Sequence, residues 1–175
     1  MAVNVGKQFE LNFKKSVPEY VLLYRLPDSA QSFGTNSNLR FSRKNPFDYL
    51  MWDSHNHVLY ALELKTVKGI SISFEKDTEN KDGKKNSREI HLHQIKGLNE
   101  WNKYDGIICG FVIEFRQITT TIFLEIESFN QLIKQITKTS FNYNDVVQSG
   151  LPYKIIPQKK KRTQYRYEIE KMLKI

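Results

Sequence analysis

The chain has 175 residues, 39% hydrophobic and 13% aromatic, and 27 Lys and Arg against 19 Asp and Glu leave it at +8. A chain of that size buries about two-thirds of its unfolded surface in one domain, so disorder throughout is excluded. Its longest mainly apolar run, Gly106 to Ile113, is far below the ~20 residues of a membrane span, the opening MAVNVGKQFE has no apolar signal region, and the lone Cys109 excludes an internal disulfide or a cysteine metal cluster.

A soluble, non-secreted protein is therefore expected, and the single cysteine is compatible with a reducing compartment; the elements follow in chain order. Val5, Phe9 and Phe13 recur at four-residue spacing in Val5 to Lys15, which predicts an amphipathic helix ended by Pro18. Tyr20 to Leu26 predicts a short strand. Pro27 to Asn45 is rich in Ser and Asn and carries Arg40, Arg43 and Lys44 against the single acid Asp28, a long loop or protruding element suited to phosphate contact. Phe47 to Trp52 and His57 to Val67 are strand-like, and the turn formers Asp53 to Asn56 join them as a hairpin.

Lys76 to Ser87 (KDTENKDGKKNS) has no aliphatic residue and predicts an exposed, flexible insertion. Glu89 to Tyr104 predicts a helix, with Leu92, Ile95, Leu98 and Trp101 three apart. Ile107 to Phe115 and Thr119 to Ile126 are β-branched strands, and Ser128 is expected to cap a helix that carries Phe129, Leu132, Ile133 and Ile136 on one face. This order predicts an α/β (α+β) domain over residues 1–175, a mixed central β-sheet flanked by helices.

The charge is uneven. Residues 154–175 hold eight Lys and Arg, among them Lys159, Lys160, Lys161 and Arg162, against Glu168 and Glu170, which is +6 of the total +8. Interleaved with Tyr153, Tyr165 and Tyr167, such a segment suits phosphate neutralisation by counterion release. An anionic membrane is the competing partner, but YEIEKMLKI is too short and too acidic for a basic amphipathic helix.

Chemistry is concentrated in the strand from His57 to Val67. Its alternation puts Leu59, Ala61, Glu63, Lys65 and Val67 on one face. Two charges in a core-like strand are costly unless paired or metal-bound. A turn centred near Ser54 and His55 pairs Asp48 with Ala61 or Leu62, within diagonal reach of Glu63. Two carboxylates and an ammonium then converge, a site that suits Mg²⁺, or Mn²⁺, with waters and phosphate oxygens as further ligands. Such an ion activates water while Lys65 neutralises the attacked phosphate.

PFD at Pro46 to Asp48 and ELK at Glu63 to Lys65, with Asp48 and Glu63 fifteen apart, resemble the PD-(D/E)xK nuclease signature. GKQFELNFKKSVP, PFDYLMWDSHNHVLYALELKTVKGISISF, REIHLHQIKGLNEW, GIICGFVIEF, GLPYKIIP and YEIEKML together resemble, in order, the RecU family of Holliday junction resolvases, with archaeal resolvases as more distant relatives. The resemblance implies a restriction-endonuclease-like core, Asp48 and Glu63 as metal ligands, Lys65 as the catalytic lysine, Glu10 completing the site and Gln94 on the helix beside it. It places residues 27–45 where that family inserts a stalk entering the junction. It implies a cytoplasmic enzyme of a bacterium or phage-infected host that resolves four-way DNA junctions in recombination and repair. Paired nicks in two equivalent strands imply a homodimer.

Other readings compete. A noncatalytic DNA-binding accessory protein would use the basic loop and tail alone, and a related nuclease would act on another DNA structure. The pairs His55/His57 and His91/His93 invite zinc, but His91 and His93 on a helix would stand about 200° apart. HNH at His55 to His57 is a tripeptide coincidence.

Overall fold

In the computed structural model, residues 4–27, 45–77, 88–162 and 164–173 are described. Most of the expected stalk at 27–45, including Arg40, Arg43 and Lys44, and most of the loop at 76–87 lie outside the described residues.

Asn4 caps the first helix, α1 (Val5–Lys14), by accepting the Lys7 N–H at 3.2 Å, and the predicted stripe buries Phe9 and Phe13. Three antiparallel strands follow: β1 (Val21–Arg25), β2 (Tyr49–Asp53) and β3 (Val58–Val67). The β2–β3 turn is built around Asp53. This buried carboxylate accepts the N–H groups of His55 and Asn56 and the Asn56 amide, while His57 takes a left-handed φ of 54° to rejoin the ladder.

The short strand β4 (Ser71–Ser73) precedes α2 (Leu92–Trp101), which carries the chain across to β5 (Ile107–Phe115), parallel to β3. Strand β6 (Thr120–Glu125) returns antiparallel and runs directly into α3 (Ile126–Gln135). The remaining elements are β7 (Ser140–Asn142), α4 (Tyr143–Gln148), β8 (Lys154–Ile155), the hairpin β9 (Gln158–Lys161) and β10 (Gln164–Tyr167), and α5 (Glu170–Leu173).

The main sheet has the order β1-β2-β3-β5-β6-β8 and is mixed, because only the β3–β5 pair is parallel. Alternation divides the core between its faces. Ala61, Phe111, Ile113 and Leu124 pack under α2, α3 and α4, while Tyr60, Leu62, Leu64, Val112 and Phe123 pack under α1, α5 and Tyr167. The predicted mixed sheet flanked by helices is the fold found. Among the described residues, no helix is long and apolar enough to cross a membrane.

Three local expectations change. Ser128 does not cap α3: Glu125 is the N-cap, and Ser128 is buried in the first turn because Ile126 enters the core directly from β6. His91 is not on a helix but is the extended N-cap of α2, so its ring stacks on His93 at 5.6 Å and the 200° separation does not apply. Tyr167 is a packing residue rather than part of a binding surface. It is buried and donates to the buried Glu114 at 2.7 Å, with Thr66 donating to the other Glu114 oxygen at 2.6 Å, while the half-buried Tyr153 lies against Tyr143.

Candidate active site

The β2–β3 ladder ends at the Tyr49–Leu62 pair, and Asp48 stands just before it, at the bend that leads into β2. The Asp48 N–H donates to the Leu62 carbonyl at 3.1 Å, and Asp48 Oδ2 accepts the Leu64 N–H at 2.9 Å. The two carboxyl groups lie close enough for Asp48 to act on Glu63. Asp48 thus meets Leu62, as the sequence suggests, and its carboxyl reaches past it to Leu64 and Glu63. Lys65, two residues along on the same face, places Nζ 2.9 Å from Glu63 Oε1.

Burial governs the electrostatics. Glu63 is 2% exposed, and desolvation pushes its carboxyl up to about 8, an effect the Lys65 ammonium opposes and the Asp48 charge reinforces. Desolvation also raises Asp48, against the opposing pull of the Leu64 N–H and Lys65. Two adjacent carboxyls with raised affinity for protons hold a proton between them near neutrality, and a hard divalent cation is the other species that relieves such a pair.

Helix α2 completes the wall. Gln94, 9% exposed, donates through Nε2 to Glu63 Oε1, while its Oε1 accepts the His91 N–H at 2.9 Å. The helix comes this close because Gly97, one turn on, has no side chain: a Cβ there would fall 2.4 Å from Pro46 Cβ and 2.8 Å from Pro46 Cα. Trp101, a further turn along, meets Phe47 edge-on at 5.0 Å. Thus one face of α2 presses on Pro46, Phe47 and Glu63 together. Sequence reasoning missed Gly97, although a glycine in mid-helix costs about 1 kcal/mol relative to alanine and so signals close packing.

Glu10 reaches the site's edge from the other side of the sheet. Its Oε2 accepts from Arg25 Nε and from the Tyr49 hydroxyl, both at 3.1 Å, and its charge acts on Asp48. Burial, followed by the Glu10 charge and hydrogen bond, pushes the Tyr49 phenol far above its ordinary range, so Tyr49 remains a donor. Tyr49 and Arg25 were not singled out in the sequence. The signal for Tyr49 was its place in the strand next to Asp48, whereas Arg25 becomes visible only when β1 pairs with β2. Asp48, Glu63, Lys65 and Gln94 are brought together, with Glu10 held beside them by Arg25 and Tyr49.

The basic C-terminal residues lie elsewhere. Lys159, Lys160 and Lys161 are exposed on β9 and Arg162 turns the hairpin at φ 55°. Lys159 is paired with Glu168 at 2.8 Å. The Glu114–Tyr167 bond anchors this hairpin to the central sheet.

Among the described residues, no group of three or more His, Cys, Asp or Glu is disposed to hold a metal. The donor set at the sheet is the carboxylate pair Asp48 and Glu63. That set fits Mg²⁺, which binds through one or two carboxylates and takes its other ligands from water and phosphate, better than an ion needing a full protein cage.

A family model described as RecU, Recombination protein U, matches residues 65–171, beginning at Lys65 and including Gln94 and the C-terminal hairpin. The SPbeta prophage-derived uncharacterized protein YotM of Bacillus subtilis (strain 168) is 30% identical over 184 residues, an alignment covering 98% of this chain and 86% of that protein. The chain belongs to the RecU family of recombination proteins.

Proposed function

We propose that this protein is a metal-dependent, structure-selective endonuclease that resolves four-way DNA junctions by paired phosphodiester hydrolysis. The observation that carries the proposal is the buried Asp48–Glu63 pair, with Lys65 Nζ 2.9 Å from Glu63 and Gln94 donating to the same oxygen. A core strand holds such a costly arrangement at a site that uses it.

Asp48 and Glu63 are the residues that would hold the cation, Mg²⁺ or Mn²⁺. Bound there, the ion supplies positive charge against the scissile phosphate and lowers the pKa of the attacking water. Lys65 donates to a nonbridging phosphate oxygen as charge builds, since its ammonium is partly exposed and already aimed along the carboxylates. Water adds to phosphorus, one bridging P–O bond breaks, and the water's proton leaves as the departing oxygen gains one. Gln94 holds Glu63 in place, and Glu10 is held beside Asp48 by its Arg25 and Tyr49 partners.

The exposed cations of the β9–β10 hairpin, together with Arg40, Arg43 and Lys44, would neutralise phosphates on the junction arms. A four-way junction offers two equivalent strands, so a homodimer belongs to the proposal. It is supported by the unburied apolar residues Leu22, Tyr24 and Trp52 on β1 and β2.

Labelled four-way junction and linear duplex of the same sequence, incubated with Mg²⁺ or EDTA, test the proposal. Symmetric paired cuts in the junction alone, lost in EDTA, are expected, with scattering showing a dimer on the junction. Binding without cutting under any divalent ion favours a noncatalytic accessory protein, and cutting of another DNA structure in preference favours a related nuclease.

A further inference from the structure

Gln94 donates to Glu63 only while its amide faces one way. Its Oε1 accepts the backbone N–H of His91 at 2.9 Å, which leaves Nε2 as the end directed at Glu63. Without that partner the amide is free to flip and set a carbonyl oxygen against the carboxylate. The His91 backbone is held in turn by Glu75, on the segment that follows β4. Glu75 Oε2 accepts the Leu92 N–H at 2.7 Å, and Glu75 Oε1 lies 3.1 Å from His91 Nδ1. The Glu75 N–H donates to the Ile90 carbonyl at 2.9 Å, so one residue fixes three in succession at the start of α2.

Helix α2 has no acidic residue in its first turn, so the carboxylate that favours a helix N-terminus comes from Glu75, seventeen residues before Leu92. Burial opposes the Glu75 anion, but the Leu92 N–H and the His91 ring outweigh it and hold the carboxyl below its usual range. We propose that Glu75 is a positioning residue for the nuclease site, acting through the His91 backbone to orient the Gln94 amide toward Glu63. This rests on the assignment of Glu63 to that site.

The test uses the full chain as wild type, Glu75→Ala, Gln94→Ala and the double variant, with Glu75→Gln replacing Glu75→Ala throughout if thermal melts show that the alanine variant does not fold. Junction cleavage gives kcat and KM, and ¹⁵N NMR follows the Gln94 side-chain amide. Glu75→Ala is expected to lower kcat about tenfold, and Glu75→Gln about threefold, with KM changed less than about twofold. Either change is expected to shift the Gln94 amide signals, and in the Gln94→Ala background to slow cleavage by less than about twofold further. The same fractional loss in both backgrounds, or wild-type kcat with unmoved Gln94 signals, overturns the proposal. If the wild type cuts no junction, the nuclease assignment fails by itself, and unmoved Gln94 signals then overturn the role of Glu75 separately.

Discussion

Asp48 and Glu63 meet just beyond the Tyr49–Leu62 pair that ends the β2–β3 ladder, close enough for the Asp48 charge to act on the buried Glu63 carboxyl. Burial raises the proton affinity of both, the Asp48 charge raises that of Glu63 further, and the Lys65 ammonium at 2.9 Å only partly offsets the burial of Glu63. Every chemical expectation for the site follows from that pair.

Proton release should accompany metal binding. With Glu63 pushed up to about 8, the pair is protonated at pH 7 and must lose that proton to bind a cation. Calorimetry of Mg²⁺ binding in buffers of different ionisation enthalpy should count about one proton released at pH 7 and almost none at pH 9.5. Equal proton counts at both would show that Glu63 is not a ligand.

Stability should carry the opposite signature. The folded-state pKa of Glu63 is raised above its ordinary value of 4.5, so its contribution is fully present below that value and is lost as pH rises through about 8. Glu63→Gln mimics the neutral form. It should therefore stabilise the metal-free protein at pH 9, by on the order of 1–3 kcal/mol, and by much less at pH 5. Thermal unfolding at the two pH values reads the difference.

Gly97→Ala should be harmful despite its better helix propensity. The new methyl would meet Pro46 at 2.4 Å and push α2 away from the Asp48 strand. We expect a loss of about 1–3 kcal/mol and a fall in kcat, measured by denaturant melts and single-turnover cleavage. An unchanged or raised stability would mean that Pro46 gives way freely.

Glu10→Gln should slow cleavage about tenfold, far less than loss of Asp48, because its Oε2 is already held by Arg25 and Tyr49. Tyr49→Phe should cost about 1 kcal/mol of stability and part of the same rate. Single-turnover kinetics with excess enzyme make the comparison, and equal losses for Glu10→Gln and Asp48→Asn would promote Glu10 to a direct ligand.

Replacing Lys160, Lys161 and Arg162 together by alanine should weaken junction binding and reduce the salt slope of log K by about 2–3. The rate at saturation should change little. Lys159 should contribute less, since Glu168 already neutralises it at 2.8 Å. Titrations at several salt concentrations separate the two.

Much of this was legible in the chain. The period-two alternation of Val58–Val67 marked Glu63 and Lys65 as charges on an apolar face, and the turn formers after Trp52 brought Asp48 toward them; only the exact register waited for the left-handed His57 and the Asp53 cap. The four-residue spacing of Phe9 and Phe13 gave α1 almost to its ends. Short strands β4 and β7 escaped notice because three residues carry too little periodicity, and their pairing joins segments about seventy residues apart. The α3 cap was misplaced because serine is a common N-cap, whereas here burial of Ile126 sets the helix start. Gln94 came from the family resemblance, as a residue on the helix beside the site. Its amide orientation depends on His91 and Glu75, which no local pattern connects.

The most direct test of the central claim is the separation of cutting from binding in Asp48→Asn. Wild type and variant are compared on a labelled four-way junction with Mg²⁺, cleavage and affinity being measured on the same preparations. Loss of paired cuts by more than about a hundredfold, with affinity in EDTA within a few fold of wild type, is the predicted result. Cleavage by Asp48→Asn at the wild-type rate would contradict it and leave the Asp48–Glu63 pair a structural feature of the sheet.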